Sequence, residues 1–147
     1  MSYATVSELC RRIGSSIFEK IYRVEGQTDF SADPAALEDL ESAGAEINGA
    51  IACRYRLPVD GAQSLALLKD WNLTLAEERA FARPAGGAYT EKVKLRVAQV
   101  RKYLDMIRAD QFRLPDAAEK GSTSGSGGIS LVKCETPVFG RENMKGF

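Results

Sequence analysis

Histidine is absent from all 147 residues of the chain. It is the commonest general base in enzymes, the usual partner of a nucleophilic serine or cysteine, and a frequent metal ligand. Carboxylate clusters such as Glu38-Asp39-Glu41 and Glu77-Glu78 are more typical of the solvated face of an amphipathic helix than of a catalytic pair. We therefore expect no enzymatic activity, no catalytic residue, no metal and no cofactor.

Cysteine is scarce, and long apolar runs are missing. Cys10, Cys53 and Cys134 are odd in number and far apart in sequence, which disfavours a disulfide framework or a zinc site. No run of about eighteen uncharged apolar residues occurs, and the first ten residues lack the pattern of a signal peptide. We expect reduced, cytosolic thiols in a protein that neither follows that secretory route nor spans a membrane.

Net charge is also lacking, because 20 basic residues balance 20 acidic ones. No global field then attracts the chain to nucleic acid or to a membrane surface. The charges are nevertheless unevenly distributed. Residues 1–46 carry nine acidic and four basic side chains, whereas the remainder carries eleven and sixteen.

The hydrophobic pattern of the first half predicts three helices. Thr5 and Glu8 have the spacing of a capping box, and Gly14 ends that first short helix. A second short helix begins near Ser15. The longest helix begins at Asp33-Pro34, is stopped by Leu57-Pro58, and carries an apolar stripe. That stripe consists of Leu37, Leu40, Gly44, Ile47, Ile51 and Tyr55. On the second helix, Ile17, Phe18, Ile21 and Tyr22 share one face.

Two more helices complete the predicted domain, an all-α bundle of four to five helices over residues 1–115. Residues 62–82 carry apolar side chains on several sides, so this helix should be buried on more than one side. Thr90 caps the last helix, which has the cleanest amphipathic pattern. Its apolar positions are Val93, Val97, Val100, Leu104 and Ile107.

The composition changes abruptly after this domain. Residues 116–128 are predicted to be a flexible Gly/Ser-rich linker, and residues 129–147 an extended arm. Eight tether residues span roughly 16 Å and the arm up to about 60 Å more, against a domain radius of about 13 Å. The arm can therefore lie across a neighbouring subunit. The alternative is a disordered tail, which the low density of charge disfavours. The candidate partner-binding residues of the arm are Ile129, Leu131, Val132, Val138, Phe139, Arg141, Met144 and Phe147.

The last helix offers four further candidate partner-binding residues. Leu95 and Met106 project away from its main stripe, about three turns apart on the same side. Lys94 and Arg101 are basic side chains of this helix, and they can complement the acidic N-terminal part of another subunit. Packing within the chain is the alternative explanation for the two apolar residues.

A helix-turn-helix regulator of DNA is the competing function. Leu9, Cys10 and Gly14 fit the apolar, small and turn positions of that motif. The match fails in the second helix, because Lys20 and Arg23 fall where a recognition helix needs core residues. In that register Phe18 and Tyr22 would point outward.

Five short strings distributed over most of the chain carry a further signal. They are Tyr3-Ala4-Thr5-Val6-Ser7-Glu8-Leu9, Ala45-Glu46-Ile47-Asn48-Gly49, Arg54-Tyr55-Arg56-Leu57-Pro58, Val100-Arg101-Lys102-Tyr103-Leu104-Asp105-Met106-Ile107 and Val138-Phe139-Gly140-Arg141-Glu142-Asn143-Met144-Lys145-Gly146-Phe147. Together they resemble the Mu-like phage head-tail adaptor family.

The resemblance implies a non-enzymatic subunit of the virion neck, assembled in the host cytoplasm. Such a subunit forms a ring, expected to be dodecameric, beneath the portal protein. It also contacts a tail-side neck or tail-completion protein, and genomic DNA passes through the ring without sequence recognition. No membrane is implied.

Overall fold

A computed structural model describes residues 2–22, 33–87 and 90–121. Within these ranges the chain forms five α-helices and no named strand, which confirms the predicted all-α bundle. None of the described helices is long and apolar enough to cross a membrane. The helices are α1 (Val6–Ile13), α2 (Ser15–Tyr22), α3 (Pro34–Ile51), α4 (Ala62–Ala82) and α5 (Glu91–Arg108).

Two predicted helix starts, at Thr5 and Asp33, are confirmed by side-chain cap hydrogen bonds, whereas Thr90 is the N-cap residue of α5 without such a bond. Thr5 and Glu8 form the capping box of α1, which ends at Gly14 with a φ of 96°. That positive φ favours glycine, because a Cβ is strained there. Asp33 caps α3 by accepting hydrogen bonds from the amides of Ala35 and Ala36 at 2.9 and 3.0 Å. These local signals were therefore readable from the sequence.

Helix α4 lies at the centre of the bundle and packs against α1, α3 and α5. Leu68, Leu75 and Ala80 are fully buried on it, and Trp71 is almost so. Trp71 stacks on Tyr103 of α5, with the ring centroids 5.7 Å apart. The prediction that this helix is buried on more than one side is confirmed.

The apolar stripe of α3 differs from the prediction at both ends. Leu37 is 42% exposed, and the helix ends at Ile51, before Tyr55 is reached. Tyr55 is nevertheless fully buried, and its hydroxyl accepts a hydrogen bond from the Leu114 amide at 2.8 Å. Ile17, predicted on the apolar face of α2, is 44% exposed.

Two carboxylates that were predicted to be solvated are buried instead. Asp39 accepts hydrogen bonds from the Tyr22 hydroxyl at 2.7 Å and from Arg83 at 2.8 Å. Glu77 is buried against Arg12 and Arg96. Each carboxylate is tolerated in the interior because long-range cationic partners compensate its desolvation.

The segment after α5 returns along the domain as far as the described chain extends. The Arg56 amide donates to the Ala118 carbonyl at 3.0 Å, and the Lys120 amide donates to the Arg54 carbonyl at 2.7 Å. An antiparallel bridge joins Tyr55 to Glu119 between them. Residues 116–121, the first part of the predicted linker, thus lie against the helical domain. The rest of the linker and the whole arm lie outside the described residues.

Candidate assembly surfaces

An apolar groove of about 470 Å³ opens at one end of the bundle. Leu57, Pro58 and Val59 form one side, and Leu65 and Ala66 at the start of α4 form the other. The structure leaves Leu57 42% and Leu65 37% exposed. Two large aliphatic side chains in one concave surface are typical of a binding groove.

Polar contacts hold the rim of the groove in place. The Tyr3 hydroxyl donates to Asn48 on α3, and partial burial raises the pKa of Tyr3. Lys69 forms an ion pair with Glu8 of α1. The hydrogen bond from Lys69, together with that from the Thr5 amide, lowers the pKa of Glu8. The N-terminal segment is thereby fixed against α3 and α4, so the shape of the groove is set by the fold.

A second apolar position lies on α5. Leu95 is 65% exposed, the highest exposure among the large hydrophobic residues that the structure describes. Met106, three turns later on the same side of the helix, is partly buried. We call this face, with Lys94, Leu95 and Met106, the α5 surface. Leu95 is therefore mostly exposed, whereas Met106 packs in part within the chain.

The two basic candidates on α5 differ in their contacts. Lys94 is half exposed and has an ion pair with Glu91, one turn earlier on the same helix, at 3.5 Å. Arg101 instead donates through both terminal nitrogens to Glu78 on α4 and through Nε to Glu46 on α3. Arg101 therefore ties three helices together. Its charge is already balanced within the chain.

Ion pairs also surround the point where the described chain ends. Arg54 contacts Asp110 and Glu119 from beneath the returning segment, and those two contacts raise the pKa of the Arg54 guanidinium. Asp110 has a φ of 60°, a conformation in which aspartate is among the more tolerated residues. These contacts fix the site from which the rest of the chain departs.

Most of the chain matches a protein-family model. That model is described as "Bacteriophage Mu, Gp36" and matches residues 3–132. The chain belongs to the bacteriophage Mu Gp36 family. Membership indicates a phage structural or morphogenesis protein. A search of curated proteins finds no match.

The Gp36 family match includes both candidate surfaces and part of the arm. It spans the groove, the α5 surface, the returning segment, and Ile129, Leu131 and Val132. The other arm candidates follow the matched range, and all the arm candidates lie outside the described residues. Among the described residues of this Gp36 family member, no group of three or more His, Cys, Asp or Glu side chains is placed to hold a metal ion.

The groove is the feature that the sequence analysis missed. The sequence predicts Leu57-Pro58 to be a helix stop and assigns the apolar residues of 62–82, Leu65 among them, to a buried helix. The available signal was the pair of large aliphatic residues, Leu57 and Leu65, on either side of a proline-containing turn. Local periodicity assigns such residues to a core, because it contains no information on which end of a bundle remains open.

Proposed function

We propose that the protein is a non-enzymatic head-tail adaptor subunit of a Mu-like phage. Copies of the chain form a ring beneath the portal, and the arm binds neighbouring subunits or other neck proteins. Genomic DNA passes through this ring without base-specific contacts. The Gp36 family membership and the absence of histidine support this proposal.

The observation that carries the proposal is the presence of two different exposed apolar surfaces on one subunit. A ring requires heterologous contacts, in which one face of a subunit meets a different face of the next. The groove and the α5 surface meet this requirement. Glu77, which contacts Arg96 beside Leu95, lies twelve residues after Leu65 on α4. That spacing separates the two surfaces by about 18 Å along the helix.

The orientation of α2 disfavours the alternative of a helix-turn-helix regulator. Phe18 is fully buried and Tyr22 nearly so, whereas Lys20 is exposed. A recognition helix in the register of the motif would show the reverse arrangement. The first two helices therefore support a packing role.

Mass measurement tests the adaptor function. Native mass spectrometry of the full chain, alone and with the portal ring of the same phage, should give a monomer in the first case. In the second it should give a complex containing a closed ring of copies. A chain that leaves the portal ring unbound at micromolar concentration contradicts the proposal. Saturable, sequence-dependent binding to duplex DNA would favour the regulator instead.

A further inference from the structure

We propose that the groove receives the C-terminal arm of a neighbouring copy, with Val138 and Phe139 seated between Leu57 and Leu65. This inference rests on the proposed function, because it needs adjacent copies in a ring. It names the partner of one surface, and it gives the arm a defined binding site.

The chemistry of the groove fits an apolar peptide segment. Five of its nine lining residues are apolar, the others being Ser2, Tyr3, Asn48 and Lys69, and its volume of about 470 Å³ suits a few side chains. An aromatic residue such as Phe139 buries about 150–250 Å² when it inserts into a pocket of this kind. Glycine follows Phe139 directly, so no side chain at position 140 obstructs its approach to the walls.

The position where the described chain ends makes the arm available. The last described contacts are those of Lys120, whose amide donates to Arg54 and whose ammonium group donates to the Ala52 carbonyl. These contacts are close to the groove, since Arg54 precedes Leu57 by only three residues.

The direction of the chain favours a neighbour over the same subunit. Ala118 pairs with Arg56, and Lys120 pairs with Arg54, so the two segments run antiparallel. The chain therefore leaves in the direction from Arg56 towards Ala52, away from Leu57 and Pro58. Insertion into the groove of the same subunit therefore requires the chain to reverse its direction.

The intervening length is sufficient to reach the next subunit. Sixteen residues separate Gly121 from Val138. As a flexible chain they span about 22 Å, and fully extended they reach about 55 Å. A domain of this size has a radius of gyration of about 13–14 Å. The arm can therefore cross from one subunit to the groove of the next.

Photocrosslinking of the full chain tests this assignment. The chain carries p-benzoylphenylalanine in place of Phe139, and equal amounts of unlabelled and ¹⁵N-labelled protein are mixed before irradiation with the portal ring. Mass spectrometry should find crosslinks to Leu57, Pro58, Leu65 or Ala66, joining light and heavy peptides. Crosslinks confined to one chain, or crosslinks to other residues, would overturn the inference.

A matched pair of variants supplies an independent readout. Leu65→Lys introduces a charge into the groove, whereas Leu37→Lys places the same charge at a similarly exposed leucine on α3. We expect Leu65→Lys to reduce incorporation into the ring by about tenfold or more, as for loss of a buried apolar anchor. Equal incorporation of the two variants, with equal circular dichroism spectra, would contradict the inference.

The outcomes separate this inference from the proposed function. Rings on the portal with crosslinks elsewhere would leave the adaptor function standing and remove the groove as the binding site of the arm. Crosslinks into the groove of another copy, without binding to the portal, would support the groove as the binding site of the arm and contradict the adaptor function.

Discussion

At the scale of single residues, Asp116 shows how the segment after α5 stabilises a distant helix. Its carboxylate accepts hydrogen bonds from the amides of Gln63 and Ser64, both at 2.8 Å, and from the Ser64 hydroxyl at 2.5 Å. The N-cap residue of α4, Gly61, has no side chain to make such bonds. Asp116 therefore serves as the cap from 52 residues away in sequence.

The first prediction concerns the charge of Asp116. Hydrogen bonds from Ser64 and Gln63 lower the pKa of this carboxyl below its ordinary value of 3.8. A lowered folded-state pKa contributes stability above the unfolded-state pKa, and this contribution is lost as the pH falls through the folded-state pKa. We expect Asp116→Asn to lower the thermal unfolding midpoint at neutral pH. The difference from the wild type should shrink below pH 3.8.

The control for this prediction is Asp60→Asn, which removes an exposed carboxylate from the loop before α4. It should leave the midpoint unchanged at neutral pH. If the thermal midpoints of wild type and Asp116→Asn differ by the same amount across the acid range, the charge of Asp116 does not contribute to stability.

The second prediction concerns the close approach of Asp116 to Gly61. A Cβ at position 61 would lie 2.5 Å from the Asp116 carbonyl oxygen and 2.2 Å from its carboxylate. Gly61→Ala should therefore push the returning segment away and lower the free energy of unfolding. At Gly49 on α3 a Cβ meets nothing within 4 Å, so Gly49→Ala should raise that free energy by about 0.5–1 kcal/mol. Urea unfolding measures the change in the free energy of unfolding of each variant. A stabilising Gly61→Ala would contradict the close approach of Asp116 to position 61.

At the scale of helices, the bundle is joined by an ion-pair network centred on the buried Glu77. Arg12 on α1 donates to Asp70 at 2.7 Å, Thr74 at 2.8 Å and Glu77 at 3.2 Å. These three acceptors recur at i, i+4 and i+7 along one face of α4. Arg96 on α5 donates to the other oxygen of Glu77 at 3.3 Å. Glu77 therefore links α1, α4 and α5.

The third prediction is that Glu77→Ala strongly destabilises the domain. Its removal takes one acceptor from Arg12, which keeps Asp70 and Thr74, and we expect a loss of about 1.5–3 kcal/mol, as for hydrogen bonds to charged groups. Arg96 adds little to this loss because it is half exposed. Glu41→Ala removes an exposed glutamate from α3 and should change stability by less than about 0.5 kcal/mol. Chemical denaturation measures the free energy of unfolding of both variants. Equal losses in Glu77→Ala and Glu41→Ala would show that Glu77 contributes no more than an exposed glutamate.

The helices were largely predictable, and the surfaces were not. Capping residues and 3.6-residue periodicity are local, so the capping box at Thr5, the cap at Asp33 and all five buried positions of α5 could be identified. The burial of Glu77, in contrast, depends on Arg12, which is 65 residues away in sequence. Such contacts have no local signature. The outward positions Leu95 and Met106 of α5 follow from its periodicity, whereas the groove, which joins residues before α4 to residues within it, does not.

At the scale of the whole molecule, the charge of the domain is mostly engaged internally. Arg101, proposed from the sequence as a contact to an acidic neighbour, binds Glu46 and Glu78 of its own chain. An Arg101→Glu variant therefore disturbs the bundle as well as any interface. Lys94, which is half exposed and pairs with Glu91 one turn earlier, is the other basic position of α5 proposed from the sequence.

The last prediction separates the arm from the domain by two truncations. The buried core of the described chain extends only to Leu114, and the last backbone contact is that of Lys120. A chain ending at residue 128 should therefore keep the circular dichroism spectrum and thermal midpoint of the full chain, yet fail to join heads to tails. A chain ending at residue 115 loses the Asp116 cap and the pairing with Arg54 and Arg56, so its midpoint should fall. Normal particle assembly by the longer truncation would contradict a role for the arm, and equal midpoints would contradict the contribution of residues 116–121.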